Sequence, residues 1–194
     1  MTTKALRAWV DESGSDHTRD PGTYVLAAAI SRPPTEATIR DQLQRLRLPA
    51  QIKLHWRDED PTRRSAITHT VAACDIDHVV IVRVGADQER PERRRRKCLE
   101  RLLHELEARS ILDVVLESRG RADDRRDIQM LNALRGQHYL STSIRLTHVV
   151  GRYEPMLWIP DAVCGAVTSA RIGDPSHQSI LNQQLTLIEI AGPQ

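Results

Sequence analysis

Three acids at the ends of apolar runs are the side chains in this 194-residue chain best placed to do chemistry. Ala8-Trp9-Val10 runs into Asp11-Glu12-Ser13-Gly14, and Ile111-Leu112-Asp113-Val114-Val115-Leu116 runs into Glu117-Ser118-Arg119-Gly120. Pro155-Met156-Leu157-Trp158-Ile159-Pro160 runs into Asp161. A carboxylate where a strand leaves the core is costly to desolvate unless positive charge compensates it, and a divalent cation is the strongest compensator available. Each acid also has an ordinary explanation. Asp-Glu-Ser-Gly is a polar turn signal, and Asp161 in the first turn of a helix suits the helix dipole. Because successive strand side chains point to opposite faces, Asp11 and Glu12 cannot both face one site without a bend between them.

Two further stretches are dense in reactive groups. Leu54-His55-Trp56-Arg57-Asp58-Glu59-Asp60 offers His55 and Asp58 as functional groups, while Asp60-Pro61 reads as an N-cap followed by proline at the first helical position. Arg93-Arg94-Arg95-Arg96-Lys97 could hold a phosphate backbone electrostatically or form a solvated helix face. Cys74, Cys98 and Cys164 lack the paired spacing of a zinc site and read as reduced core cysteines.

Composition narrows the class. A hydrophobic fraction of 40%, a charged fraction of 28% and a net charge of +2 describe a globular protein, expected as one domain over 1–194, with no apolar run long enough to span a bilayer. The opening Met-Thr-Thr-Lys leads straight into the first apolar run, so no secretory leader is expected and a cytoplasmic location follows. Lysine stands at only three positions among 28 basic residues, a skew that warns against reading every arginine cluster as a nucleic-acid contact. Aromatic residues make up 3%, which argues against base stacking on exposed rings. Oligomeric state leaves no trace in the sequence.

The elements that must position these groups alternate between strands and helices. Ala5, Leu6, Ala8, Trp9 and Val10 predict a first strand ending in a turn at Asp11–Gly14, with Tyr24–Ile30 as its antiparallel hairpin partner. Thr35 is expected to cap a helix running to Leu48, with Ile39, Leu43 and Leu46 inward and Pro49 as the stop. A helix from Thr62 to Cys74 precedes the continuous apolar strand His78–Val84, and a helix from Pro91 to Arg109 buries Leu99, Leu102, Leu103 and Leu106. After the strand ending at Glu117, a helix opens at Ala122 and runs to about Gln137, and Ser143–Val150 alternates as a strand near the sheet edge. The helix from Pro160 is apolar nearly all round, and Ala162, Gly165 and Ala166 keep it slim for close approach to a strand. The tail from Ser179 to Ile190 reads equally as a short helix or a last strand.

Taken in order, the segments ending in Asp11-Glu12-Ser13-Gly14, in Glu117-Ser118-Arg119 and in Ile159-Pro160-Asp161-Ala162-Val163-Cys164-Gly165-Ala166-Val167 resemble the bacterial and phage domain-of-unknown-function family 3800. That family is placed in the ribonuclease H-like superfamily, and the resemblance spans Ala8 to about Ile172. It implies an α/β fold, a central mixed sheet with helices on both faces, in which Asp11, Glu117 and Asp161 gather Mg²⁺ or Mn²⁺. The same position-by-position reading adds Glu12, while Ser13, His55 and Asp58 are expected to support the site from their own stretches, and Arg93, Arg94, Arg95 and Arg96 to contact nucleic acid through their charge. Pro160 and Ala162 depart from the alanine and leucine that family members usually carry around the helix aspartate. The implied activity is a nuclease, in which two ions about 3.5–4 Å apart, bridged by a carboxylate such as Asp11, drive an in-line phosphodiester displacement with His55 as a proton-transfer group. Oxygen-only donors suit such hard ions. A non-catalytic nucleic-acid- or protein-binding module retaining the fold, and a metal-dependent phosphatase, are the alternatives.

Overall fold

The computed structural model describes residues 6–86 and 89–192, so Ala5 of the first apolar run lies outside the described residues. That run forms β1 (Arg7–Gly14), which turns back into β2 (Thr23–Ser31) as an antiparallel hairpin. Asp11-Glu12-Ser13-Gly14 is therefore strand rather than turn: Ser13 pairs with Val25 and Gly14 with Tyr24. The reversal sits further on, where Asp16 Oδ1 accepts the Thr18 and Arg19 amides at 2.8 Å and Gly22 takes φ 77°. Side chains tolerate that left-handed conformation poorly.

α1 (Glu36–Leu46) follows a short 3-10 turn over Pro33–Thr35 and stops two residues short of the expected Leu48. Thr35 caps nothing with its side chain, because its backbone is already helical and its hydroxyl donates back to the Arg32 carbonyl at 2.9 Å. α2 (Pro61–Ala73) is capped as its sequence predicts, Asp60 Oδ1 accepting the Arg63 amide at 2.9 Å. Then come β3 (Asp77–Val84), α3 (Pro91–Ala108), β4 (Asp113–Glu117), α4 (Arg121–Gly136) and β5 (Arg145–Val149). α5 (Trp158–Arg171) starts two residues before Pro160, which still falls in the first turn, where a missing amide costs nothing. The ambiguous tail is both of its readings in succession, α6 (Ser176–Leu181) and β6 (Leu185–Ala191).

The six strands form one mixed sheet in the order β5-β4-β1-β2-β3-β6. β1–β2 and β2–β3 are antiparallel, while β1–β4, β4–β5 and β3–β6 are parallel. Strand alternation divides the core in two. Trp9, Ala27, Val80, Val82 and Val115 pack beneath α1, α2, α5 and α6, whereas Ala8, Val10, Leu26, Ile81 and Leu116 pack against α3 and α4. Trp9 anchors the first layer, its Nε1 donating to Ser31 Oγ at 3.0 Å while the guanidinium groups of Arg7 and Arg40 lie 5.4 and 5.3 Å from the ring. No helix among the described residues is long and apolar enough to cross a membrane.

Candidate active site

Strand alternation also decides where the acids go. Parallel pairing sets Trp9 beside Val115 and Val10 beside Leu116, so the next row puts Asp11 beside Glu117 on the face covered by α5. Asp161 enters that face from the first turn of α5. The three acids are near enough to act on one another: burial pushes the Asp11 carboxyl well above the usual carboxylate range, and the Glu117 and Asp161 charges push it further, against a backbone hydrogen bond from Glu12. Asp11 also shares a hydrogen bond with Glu117. Burial raises Asp161 too, partly offset by the Trp56 amide and by the His55 and Lys53 charges, with Glu117 adding to the rise. Such mutual elevation marks like charges crowded into a poorly solvated space.

Among the described residues one cation bonds to them. Lys53 Nζ donates to Glu117 Oε1 at 2.8 Å. Burial works against its charge, but the Glu117 hydrogen bond and the charges of Glu117, Asp11 and Asp161 outweigh that effect and leave its pKa raised. Lys53 lies on the loop between α1 and α2, which the 3-10 turn Trp56–Asp58 fastens to α5. The Trp56 amide donates to Asp161 Oδ2 at 2.8 Å, and its indole covers Gly165, where a Cβ would stand 2.1 Å from Cγ. The slim α5 surface thus receives a tryptophan ring from the loop. His177 meets that ring edge-on at 5.0 Å, and the Arg64 guanidinium lies 5.3 Å from it.

Glu117 is seated by a second glycine. A Cβ on Gly151 would stand 2.3 Å from Glu117 Oε1, and Trp158 Nε1 holds the Gly151 carbonyl at 2.8 Å. Lys53, Trp56 and Gly151 carried no local sequence signal for these roles. Gly165 did, as a glycine inside a helical pattern that marks close approach.

Of the remaining expected site residues, Glu12, Ser13 and His55 line one cleft with Asp161, and Asp58 does not. Glu12 faces α3 and α4, as alternation requires, and pairs with Arg95 Nε at 2.5 Å and Arg119 Nε at 3.5 Å. Ser13 lines an open cleft of about 760 Å³ beside the acids, with its hydroxyl on the Gly14 carbonyl at 3.1 Å. His55 and Asp161 line the same cleft. His55 Nδ1 has no hydrogen-bond partner, the Asp58 carboxylate being 3.9 Å away. The Asp58 side chain is 77% exposed and lies outside the cleft lining.

The arginine run does not present one face, because consecutive helical residues point about 100° apart. Arg93 and Arg96 are exposed, but Arg94 and Arg95 are buried. Arg94 donates to the Ala86 carbonyl at 2.7 Å, and Arg95 spans Glu12 and Asp127, its Nη2 meeting Asp127 Oδ2 at 2.9 Å. Arg94 is thus a buried donor to backbone and Arg95 an internal ion-pair partner. Burial disfavours the Asp127 charge, yet hydrogen bonds from His148 and Arg95 win and hold its pKa below the usual range.

As a donor set, Asp11, Glu117 and Asp161 fit a hard divalent ion: all their ligating atoms are oxygens, and Asp11 is crowded by two like charges against one ammonium. Among the described residues no group of three His, Cys, Asp or Glu side chains stands ready-made to hold a metal ion. Lys53 holds Glu117 instead.

No protein-family model matches the chain and no curated protein matches it. Solved structures do match. A chain of the PCNA:RNase HII complex from Archaeoglobus fulgidus superposes with a TM-score of 0.58 at 13% identity, covering 92% of this chain and 87% of that one. Ribonuclease H2 from Pyrococcus horikoshii OT3 gives 0.51 at 13% identity, covering 92% and 76%. Bst-RNase HIII in complex with Mn²⁺ gives 0.52 at 13% identity, covering 87% of this chain and 53% of that one. The fold is ribonuclease H-like. At such identity the likeness is one of fold, and chemistry must be argued from the site.

Proposed function

We propose that this chain is a divalent-metal-dependent nuclease that hydrolyses phosphodiester bonds in nucleic acid, with Asp11, Glu117 and Asp161 holding Mg²⁺ or Mn²⁺. The observation that carries the reading is the placing of acids from β1, β4 and α5 on one face of a ribonuclease H-like sheet, near enough to raise one another's pKa, with Lys53 bonded to Glu117. Bound there, a pair of such ions would supply an activated water and stabilise the leaving oxygen of an in-line displacement. The chain's own residues do the positioning. Trp56 aims Asp161 through its amide, Gly151 makes room for Glu117, and the pairing of β1 with β4 sets Asp11 beside Glu117. His55, a residue of the cleft lining, is the group assigned to proton transfer. His17, Thr18, Arg57 and Ser169 give the cleft a polar lining suited to a phosphate backbone.

The test is cleavage of labelled single- and double-stranded DNA and RNA with Mg²⁺ or Mn²⁺. The parent protein should cut at least one of them and Asp11→Asn none, while both unfold in a single cooperative transition. Cleavage surviving in Asp11→Asn removes the assignment.

A second reading, a non-catalytic nucleic-acid-binding module, is favoured by Lys53 itself, since an ammonium already neutralises Glu117. It expects salt-sensitive binding retained in Asp11→Asn and no cleavage by the parent protein with any metal.

A further inference from the structure

Among the described residues Lys53 is the one cation bonded to the acid cluster, and its chemistry differs from that of the arginines that dominate the chain's basic groups. The sequence carries twenty-five arginines and only three lysines. An arginine at 53 would grip a carboxylate with a rigid, bidentate fork, whereas a lysine is a strongly hydrated point charge on a flexible four-carbon stem. The backbone around it is fixed on one side only. Leu54 and Trp56 are buried, while Ile52 is 68% exposed. The ammonium can therefore swing toward solvent while the loop stays fastened through Trp56 and Gly165. A Lys53 side chain that is 25% exposed already has an outlet in that direction.

We infer that Lys53 is a built-in competitor for the metal: its ammonium neutralises Glu117 in the metal-free protein and must leave that carboxylate before a divalent ion can take it. The inference rests on the metal-site reading above and adds to it a residue that sets metal affinity. Three consequences follow. The fold tolerates its crowded acids without metal because one of the three is paired. Metal binding is weakened by the free energy of the broken pair. The loop that carries Lys53 also carries the amide that aims Asp161, so the same segment responds when the cluster fills.

The experiment titrates Mn²⁺ alone, without nucleic acid, into wild type, Lys53→Gln, Lys53→Arg and Asp11→Asn, reading free Mn²⁺ by electron paramagnetic resonance and unfolding temperature in parallel. Lys53→Gln keeps a side chain of similar reach without the charge. It should bind Mn²⁺ roughly two- to fivefold more tightly than wild type, the worth of one partly exposed ion pair. In chelator it should unfold at a lower temperature than wild type, and Mn²⁺ should raise that temperature by more. Lys53→Arg, which keeps the charge, should bind no more tightly than wild type. If wild type binds Mn²⁺, Asp11→Asn does not, and Lys53→Gln binds with unchanged or weaker affinity, the competitor idea fails while the metal site stands. If wild type and Asp11→Asn take up Mn²⁺ equally or not at all, the metal-site reading fails and takes the inference with it.

Discussion

Replacing Gly151 by alanine would press a methyl group against Glu117. The new Cβ would stand 2.3 Å from Oε1, 2.5 Å from Cδ and 2.8 Å from Oε2, where ordinary contact begins at 3.4 Å. Something must therefore give by roughly 1 Å, a displacement large enough to matter for a ligand or catalytic group. The turn cannot be what gives, because Trp158 Nε1 holds the Gly151 carbonyl at 2.8 Å and the Tyr153 amide bonds Val150 at 2.9 Å. Glu117 moves instead, and the 2.8 Å contact with Lys53 breaks. Losing a partly exposed ion pair costs the fold at most about 1 kcal/mol, a fall of roughly 2–4 °C in unfolding temperature for a chain of this size. A ligand displaced by that distance costs on the order of a hundredfold in rate. Thermal unfolding in chelator, Mn²⁺ titration and cleavage on one preparation separate the two effects. Wild-type Mn²⁺ affinity and cleavage in Gly151→Ala would refute the placement of Glu117 in the site. A fall of more than about 10 °C would show that Gly151 serves the fold rather than the carboxylate.

Other perturbations report on the charges. Asp11 has a raised pKa in the fold, so the metal-free protein loses stability as pH rises from the ordinary carboxylate range through the folded value. In chelator Asp11→Asn should therefore unfold at a higher temperature than wild type at pH 7, and the gap should close toward pH 3; an equal or lower temperature at pH 7 contradicts the crowding. His78 is fully buried, and burial lowers its pKa from 6.5 to about 4, with both ring nitrogens unpartnered. The unfolded chain takes up that proton first, so stability is intact above pH 6.5 and falls by about 3 kcal/mol on the way to pH 4. Urea melts of His78→Leu should lack that slope, and an unchanged slope rejects the assignment. Arg95→Met removes the guanidinium shared by Glu12 and buried Asp127, leaving Asp127 its His148 hydrogen bond, and should cost about 3 kcal/mol, against less than about 0.5 kcal/mol for exposed Arg96→Ala; similar losses in chemical denaturation would contradict the burial pattern.

What could be read from the sequence was what local pattern controls. Continuous apolar runs gave β2 and β3, alternation sent Asp11 and Glu12 to opposite faces, and Asp60-Pro61 announced the start of α2. Local pattern misled where long-range pairing overrode it. Ser13 and Gly14 look like a turn, but Tyr24 and Val25 opposite them keep the strand going. Arg94 and Arg95 look like neighbours in a solvated run, yet the helical turn swings them inward, Arg95 onto acids from β1 and α4. Lys53 and Gly151 were illegible because their meaning comes from Glu117, 64 positions after the lysine and on a different element from either. No window of sequence contains that contact.

The most direct measurement of the central claim is a crystal of the protein soaked in MnCl₂ and read by anomalous scattering at the manganese edge. The account predicts a peak within about 2.0–2.6 Å of carboxylate oxygens from Asp11, Glu117 and Asp161, with the Lys53 ammonium withdrawn from Glu117. Manganese found elsewhere on the surface, with Lys53 still bonded to Glu117, would contradict it.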